Sequence, residues 1–185
     1  MVAFELARGA ASSKCGSVDV VPTIALVPAG PDDKQVLFQL NEHYVYDFSE
    51  LIDVDVDETG RFGAARLERH FADPQCHPFL IRTDGKLAGF AIHEGRSRLT
   101  GEAGVNDVAE LFVMRKYRKL GVGAYAATAL FDRFAGSWEV RQVHANVAAI
   151  SFWRKVIDRY TGGTYTEVAW DGPTFRGVVQ RFRSR

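Results

Sequence analysis

"RKYRKLGVGAYA", residues 115–126, sets four cations (Arg115, Lys116, Arg118, Lys119) ahead of two glycines and a helix-forming run. Three phosphate-binding patterns compete for such a stretch. The nucleoside-triphosphate loop needs a glycine, four residues and then Gly-Lys-Ser/Thr, a string this chain lacks. The dinucleotide pattern G-x-G-x-x-G/A is met by Gly121, Gly123 and Ala126, but its glycines should follow a strand almost at once. Here residues 114–120 intervene after Val113, and "VHANV" in the next strand-like run offers no acidic residue for a ribose. The third pattern, R-x-x-G-x-G/A, is present as Arg118-Lys-Leu-Gly121-Val-Gly123. Cations on the approach and side-chain-free glycines at a helix start let several backbone N–H groups converge on a diphosphate, with the helix dipole assisting.

Working outward, "GVNDVAELFV" (104–113) reads as the preceding strand, and period-two alternation puts Val108, Glu110 and Phe112 on one face and Asp107 on the other. After the glycines, Ala127, Leu130, Phe131 and Phe134 fall at i, i+3, i+4, i+7, with Gly136 as a stop. "EVRQVHANV" is a further strand. It leads into a helix carrying Ala149, Phe152, Trp153, Val156, Ile157 and Tyr160 on one face. Upstream, "TIALVPA" (23–29) predicts a short strand, "DDKQVLFQLNEHYVYDFSEL" (32–51) a helix, and "RFGAARLERHF" a second helix. "HPFLIRTDGKLAGFAIHEG" predicts a hairpin about Asp84-Gly85. "TYTEVAW" and "RGVVQRFR" predict closing strands. The expected class is α/β of the α+β type.

The 185 residues suit a single domain with a proper core, and 46% hydrophobic with 25% charged residues is a globular composition. No apolar run approaches the roughly eighteen residues of a membrane helix. "MVAFELARGAASSKC" lacks the order of a signal peptide, so a cytoplasmic location is expected. Cys15 and Cys76 are too few for a disulfide framework and read as free thiols. A net charge of zero argues against a nucleic-acid binder. It conceals an asymmetry: residues 1–92 hold 14 Asp/Glu against 8 Lys/Arg, and residues 93–185 hold 9 against 15. Either the second half holds an anionic cofactor and the first attracts a cation, or the charges mix on folding.

"VAELFVMRKYRKLGVGAYAA" followed by "NVAAISFWRKVIDRY" resembles the GNAT superfamily of acyl-CoA-dependent N-acyltransferases, most closely over about residues 77–168. The resemblance implies one GNAT domain over 1–185, with a mixed, mainly antiparallel central sheet flanked by helices and splayed where acyl-CoA enters. It implies acetyl-CoA as co-substrate and no metal. By the same resemblance, the backbones of Leu111, Phe112 and Val113 pair with the pantetheine arm, and Arg118, Lys119, Gly121, Val122, Gly123 and Ala124 wrap the pyrophosphate. Asn146 then reaches the pantetheine amides, although a plain helix N-cap also explains it.

The implied reaction is attack of an amine on the thioester. Glu110 is the candidate base and Asp107 its rival; a carboxylate that only positions substrate or pairs with an arginine is the alternative role for Glu110. Many family members place a tyrosine acid seven residues after the Asn. Here that residue is Trp153, whose indole is no usable proton donor, and which either stacks on the cofactor or packs in the core. Tyr160 lies about 10 Å further along the helix. On the acceptor side, Tyr44, Tyr46 and Asp47 could hold a cationic amine, or Tyr44 and Phe48 could simply form the core face of an amphipathic helix. The expected function is acetylation of a small amine or other amino-bearing acceptor. The alternatives are a non-catalytic acyl-CoA-binding or regulatory module and, less favoured, a nicotinamide-dependent reductase. The basic, apolar ending "RGVVQRFRSR" is compatible with a homodimer built on terminal strands. "DVDVDETG" (53–60) imitates a calcium loop, but Glu58 and Ala64 occupy the places of its glycine and glutamate. His70, Cys76 and His77 lack zinc spacing, so no metal site is expected.

Overall fold

The computed structural model describes residues 22–185, except 64 and 174. The N-terminal stretch with Cys15 lies outside the described residues. A seven-stranded sheet runs β1 (Ile24–Pro28), β2 (Cys76–Thr83), β3 (Lys86–Arg96), β4 (Ala103–Val113), β5 (Gly136–Val143), β7 (Arg176–Ser184), β6 (Thr166–Asp171) in spatial order. Every neighbouring pair is antiparallel except β4 and β5. The helices are α1 (Lys34–Phe48), α2 (Ala65–Ala72), α3 (Val122–Arg133) and α4 (Val147–Thr161). Among the described residues, no helix is long and apolar enough to cross a membrane.

The β2–β3 hairpin forms where Asp84-Gly85 predicts it: both turn residues have positive φ (50° and 74°), the requirement of a type I′ turn. α3 ends earlier than expected. Its last residue is Arg133, and Gly136 belongs to the start of β5. The stop comes from side chains, because the Phe134 carbonyl accepts from Trp138 Nε1 (3.0 Å), Ser184 Oγ (3.2 Å) and Asn106 Nδ2 (3.3 Å). The chain's last strand is also not an edge. β7 lies between β5 and β6, and β6 is the strand at that border.

Two cores sandwich the sheet. On the α3–α4 side, Phe131, Trp138, Trp153, Ile157 and Phe182 join Phe79, Ile81 and Val108. On the α1–α2 side, Leu37, Leu40 and Leu67 meet Leu80, Phe90, Ile92, Ala109 and Phe112.

Two irregularities in β4 shape the site. The first is a bulge against β3: Phe112 pairs with Phe90 and Glu110 with Ile92, then Val108 with His93 and Asp107 with Glu94, leaving Ala109 as the extra residue. This corrects the period-two reading. Val108 crosses to the α3–α4 core, while Asp107 and Glu110 both present to the α1–α2 side. The second is an early end to pairing with β5. The parallel ladder covers only Val105–Ser137, Asn106–Trp138 and Asp107–Glu139, although β4 continues to Val113 and β5 to Val143. Between them opens a wedge.

Candidate active site

One wall of the wedge is the edge of β4 over residues 108–113, which has no strand partner on that side among the described residues. β4 leads through a short 3-10 turn, Arg115–Tyr117, to Lys119 at φ 62° and Gly121 at φ 81°. Gly121 is the N-cap of α3, so the backbone N–H groups of Val122, Gly123 and Ala124 begin the helix without intrahelical acceptors. The left-handed conformation is what turns the chain sharply enough to aim them outward, and glycine takes it without steric cost. At Gly123 the constraint is space: a Cβ would lie 3.3 Å from Phe152 Cζ on α4. The cradle therefore has the donors, shape and helix start that suit a diphosphate.

Asn146 caps α4, its Oδ1 accepting from Ala149 N at 3.0 Å. Trp153 does not face the wedge. It is 6% exposed within the α3–α4 core, with Phe152 and Phe131 as ring neighbours at 5.1 and 6.4 Å. Of the two roles expected for Trp153, its position matches core packing; the ring beside the cradle is that of Phe152. Helical periodicity could not separate two adjacent aromatics on the border of one face. Tyr160 gives its hydroxyl to Asp132 Oδ1 (2.8 Å), and burial followed by that carboxylate pushes its phenol up to about 12.

Arg118 does not point along the cradle. Its Nε donates to the Val113 carbonyl (2.7 Å), one terminal nitrogen bonds Asp47 Oδ2, and the guanidinium lies 5.8 Å over the Phe112 ring. Arg115 adds two bonds to Asp47 Oδ1, at 3.0 and 2.7 Å. Partial burial pushes the Asp47 carboxyl up, but the bonds and charges of Arg118 and Arg115 outweigh it and hold it below the usual range. Asp47 is therefore paired with two cations. Tyr46, also expected to bind acceptor, is 64% exposed on the outer surface of α1.

Tyr44 does reach the site. Its hydroxyl donates to Glu110 Oε2 at 2.8 Å, and its ring packs on Phe48, Phe90 and Phe112 at 5.5–5.8 Å between centroids. Glu110 is 5% exposed, with Arg98 Nη1 3.7 Å from Oε1. Beside it, Asp107 is fully buried and held by Arg141 through Nε (2.8 Å) and Nη2 (3.3 Å). Desolvation pushes the Asp107 carboxyl up against the opposing pull of Arg141. Glu139 completes the group, accepting from Ser97 Oγ (2.5 Å) and Arg181 Nε (2.8 Å). Sequence reasoning found Glu110, Asp107 and Tyr44 but missed Arg98, Arg141 and Glu139. Charges within strands could have signalled Arg141 and Glu139, whereas Arg98 lies in the turn between β3 and β4.

A second cluster was also missed. His70, Cys76 and Glu94 are buried, with their ligating atoms within 4.8 Å of one another, and the DVDVDETG loop plays no part in it. His70 Nδ1 lies 3.3 Å from Cys76 Sγ, and Glu94 is engaged by Arg96 (2.7 Å) and Arg98 (3.6 Å), which balance its charge. Burial and then the Glu94 charge push the Cys76 thiol up to about 12. The acidic loop itself is a surface turn, in which Asp57 Oδ1 accepts from Thr59 and Arg61 backbone N–H groups at 2.8 and 3.1 Å.

The profile of the acetyltransferase (GNAT) family matches residues 40–157. Among solved structures, an acetyltransferase from Thermus thermophilus is 18% identical, with 87% of this chain and 96% of that one covered at a TM-score of 0.61. PaiA N-acetyltransferase from Thermoplasma acidophilum, in complex with coenzyme A, is 12% identical, with 87% and 99% covered at 0.60. The ribosomal-protein-S18-alanine N-acetyltransferase from Escherichia coli is 12% identical, with 88% and 94% covered at 0.59. These identities speak to the fold. No curated protein matched the sequence.

Proposed function

The chain belongs to the acetyltransferase (GNAT) family and is an acyltransferase, and from that premise we propose that it moves an acetyl group from acetyl-CoA to the amine of a small molecule. The observation that carries the reading is the wedge: an open strand edge runs straight into a helix start capped by a left-handed glycine. An extended arm bearing amides and ending in a diphosphate suits both parts. Backbone groups of Leu111 and Phe112, with the N–H of Val113, whose carbonyl already accepts from Arg118, would pair with the arm. The N–H groups of Val122, Gly123 and Ala124, with Lys119, would take the diphosphate. Asn146 has its oxygen engaged in the cap, which leaves its amide N–H to donate to the arm.

An alkylammonium, with a pKa of about 10.4, must lose a proton before it attacks a thioester. Glu110 is the acceptor for that proton. The carbonyl oxygen gains charge as the C–N bond forms, and a backbone N–H near Phe112 stabilises it. The C–S bond then breaks, and a thiol pKa of about 8.5 makes the thiolate a tolerable leaving group with no phenol at position 153. Because Glu110 is 5% exposed, an amine reaches it only at the end of a slim substituent.

Release of CoA thiol from acetyl-CoA over a panel of small amines is the test. Thiol should appear only with an amine present, and Glu110→Gln should lower kcat/KM by about 10²–10⁴-fold. Turnover by that variant equal to the parent from about pH 6 to 9 would remove Glu110 as the base.

A further inference from the structure

We propose that Arg118 is a positioning residue and not a phosphate ligand: through Asp47 it clamps the phosphate loop to α1, the helix whose Tyr44 holds Glu110. This inference rests on the functional reading above and departs from the simple assignment of the R-x-x-G-x-G arginine to the cradle.

The geometry is specific. Arg118 contacts a carbonyl at the end of β4, a carboxylate on α1 and the face of Phe112. Leaving for a phosphate would abandon all three, two of them hydrogen bonds to or from charged groups, which are the strong class. Asp47 stands three residues after Tyr44, so the two lie on neighbouring positions of one helical face. α1 therefore meets β4 at two points in the same spacing: Tyr44 on Glu110, and Asp47, by way of Arg118, on Val113. Arg115 reinforces the second point. The loop that would carry the diphosphate and the wall that would receive the acceptor are thus fastened by one ion cluster. Phosphate recognition falls to the main chain of 122–124 and to Lys119 beside it in the loop.

The two roles for Arg118 predict opposite signs when Asp47 is neutralised, which makes calorimetric titration with CoA decisive. If Arg118 is a clamp, Asp47→Asn loosens the loop and weakens CoA about tenfold. Arg118→Gln should weaken it to a similar extent, and the double variant should be within about threefold of either single one. Asp47→Glu, which keeps the charge, should recover most of the affinity, an outcome that general loss of folded protein would not give. If Arg118 is instead a phosphate ligand that Asp47 holds back, Asp47→Asn frees it and CoA binds more tightly. Tighter or unchanged binding in Asp47→Asn overturns the clamp. A parent protein that binds no CoA removes the functional reading itself, and the clamp falls with it.

Discussion

The two faces of the sheet are built from different materials. Toward α3 and α4 the buried surface is aromatic and aliphatic, with Phe131 in contact with Trp138, Trp153, Tyr160 and Phe182. Toward α1 and α2 the same strands bury Glu94, Asp107, Glu110 and Glu139, neutralised by Arg98, Arg141 and Arg181. The first face supplies area removed from water. The second supplies charges that are costly to bury and useful only if something reacts beside them. Both faces carry an apolar core, and the buried carboxylates are gathered on one of them.

Breaking the apolar face should have the largest effect. Phe131→Ala leaves a cavity among four rings and should cost about 4 kcal/mol in urea unfolding. A loss below about 1 kcal/mol would mean the rings are not close-packed. Next comes the polar face: Arg141→Met strands the buried Asp107 carboxylate and should cost about 3 kcal/mol, while Arg141→Met combined with Asp107→Leu should recover much of that loss. Equal losses in the single and double variants would show that the pair, and not the orphaned charge, sets the energy.

A change of pH sharpens the contrast, because a histidine ring is buried in the apolar side. His93 stacks on Phe134 at 3.6 Å, donates from Nε2 to Asn106 Oδ1 (2.7 Å), and is 2% exposed. Burial pulls its imidazole down to about 4, against a counteracting bond from Asn106. Its folded pKa lies below the unfolded value, so the unfolded chain binds more protons between about pH 6.5 and 4. Stability from this residue is present above that window and falls with pH through it, by about 1.4 kcal/mol per unit. Urea midpoints measured across the window should show this slope for the parent and a flatter one for His93→Gln. Identical slopes would remove His93 as the source.

Much of this was legible in the sequence, for local reasons. Asp84-Gly85 specifies its turn by backbone sterics alone, and the seven residues between Val113 and Gly121 separate this loop from a dinucleotide site without reference to any distant residue. What was not legible depends on partners. The bulge at Ala109 is a property of the β3–β4 pair, so alternation within β4 put Val108 and Asp107 on the wrong faces. Asp47 is read correctly as an acid on a helix, but its cations lie 68 and 71 residues away, where local pattern does not reach. The opposed charges of the two halves of the chain are in part this pairing, as Asp47 in the first half meets Arg115 and Arg118 in the second.

The short parallel ladder has a consequence for how the molecule is put together. β1–β4 form one antiparallel meander and β5–β7 another group of three, and among the described residues their backbone ladder covers only Val105–Asp107 and Ser137–Glu139. That seam joins residues on either side of the whole α3 crossover, so it carries a loop-closure cost that the hairpins escape. The wedge is thus also a folding boundary: the place where the sheet opens is the place where its two halves have to find each other.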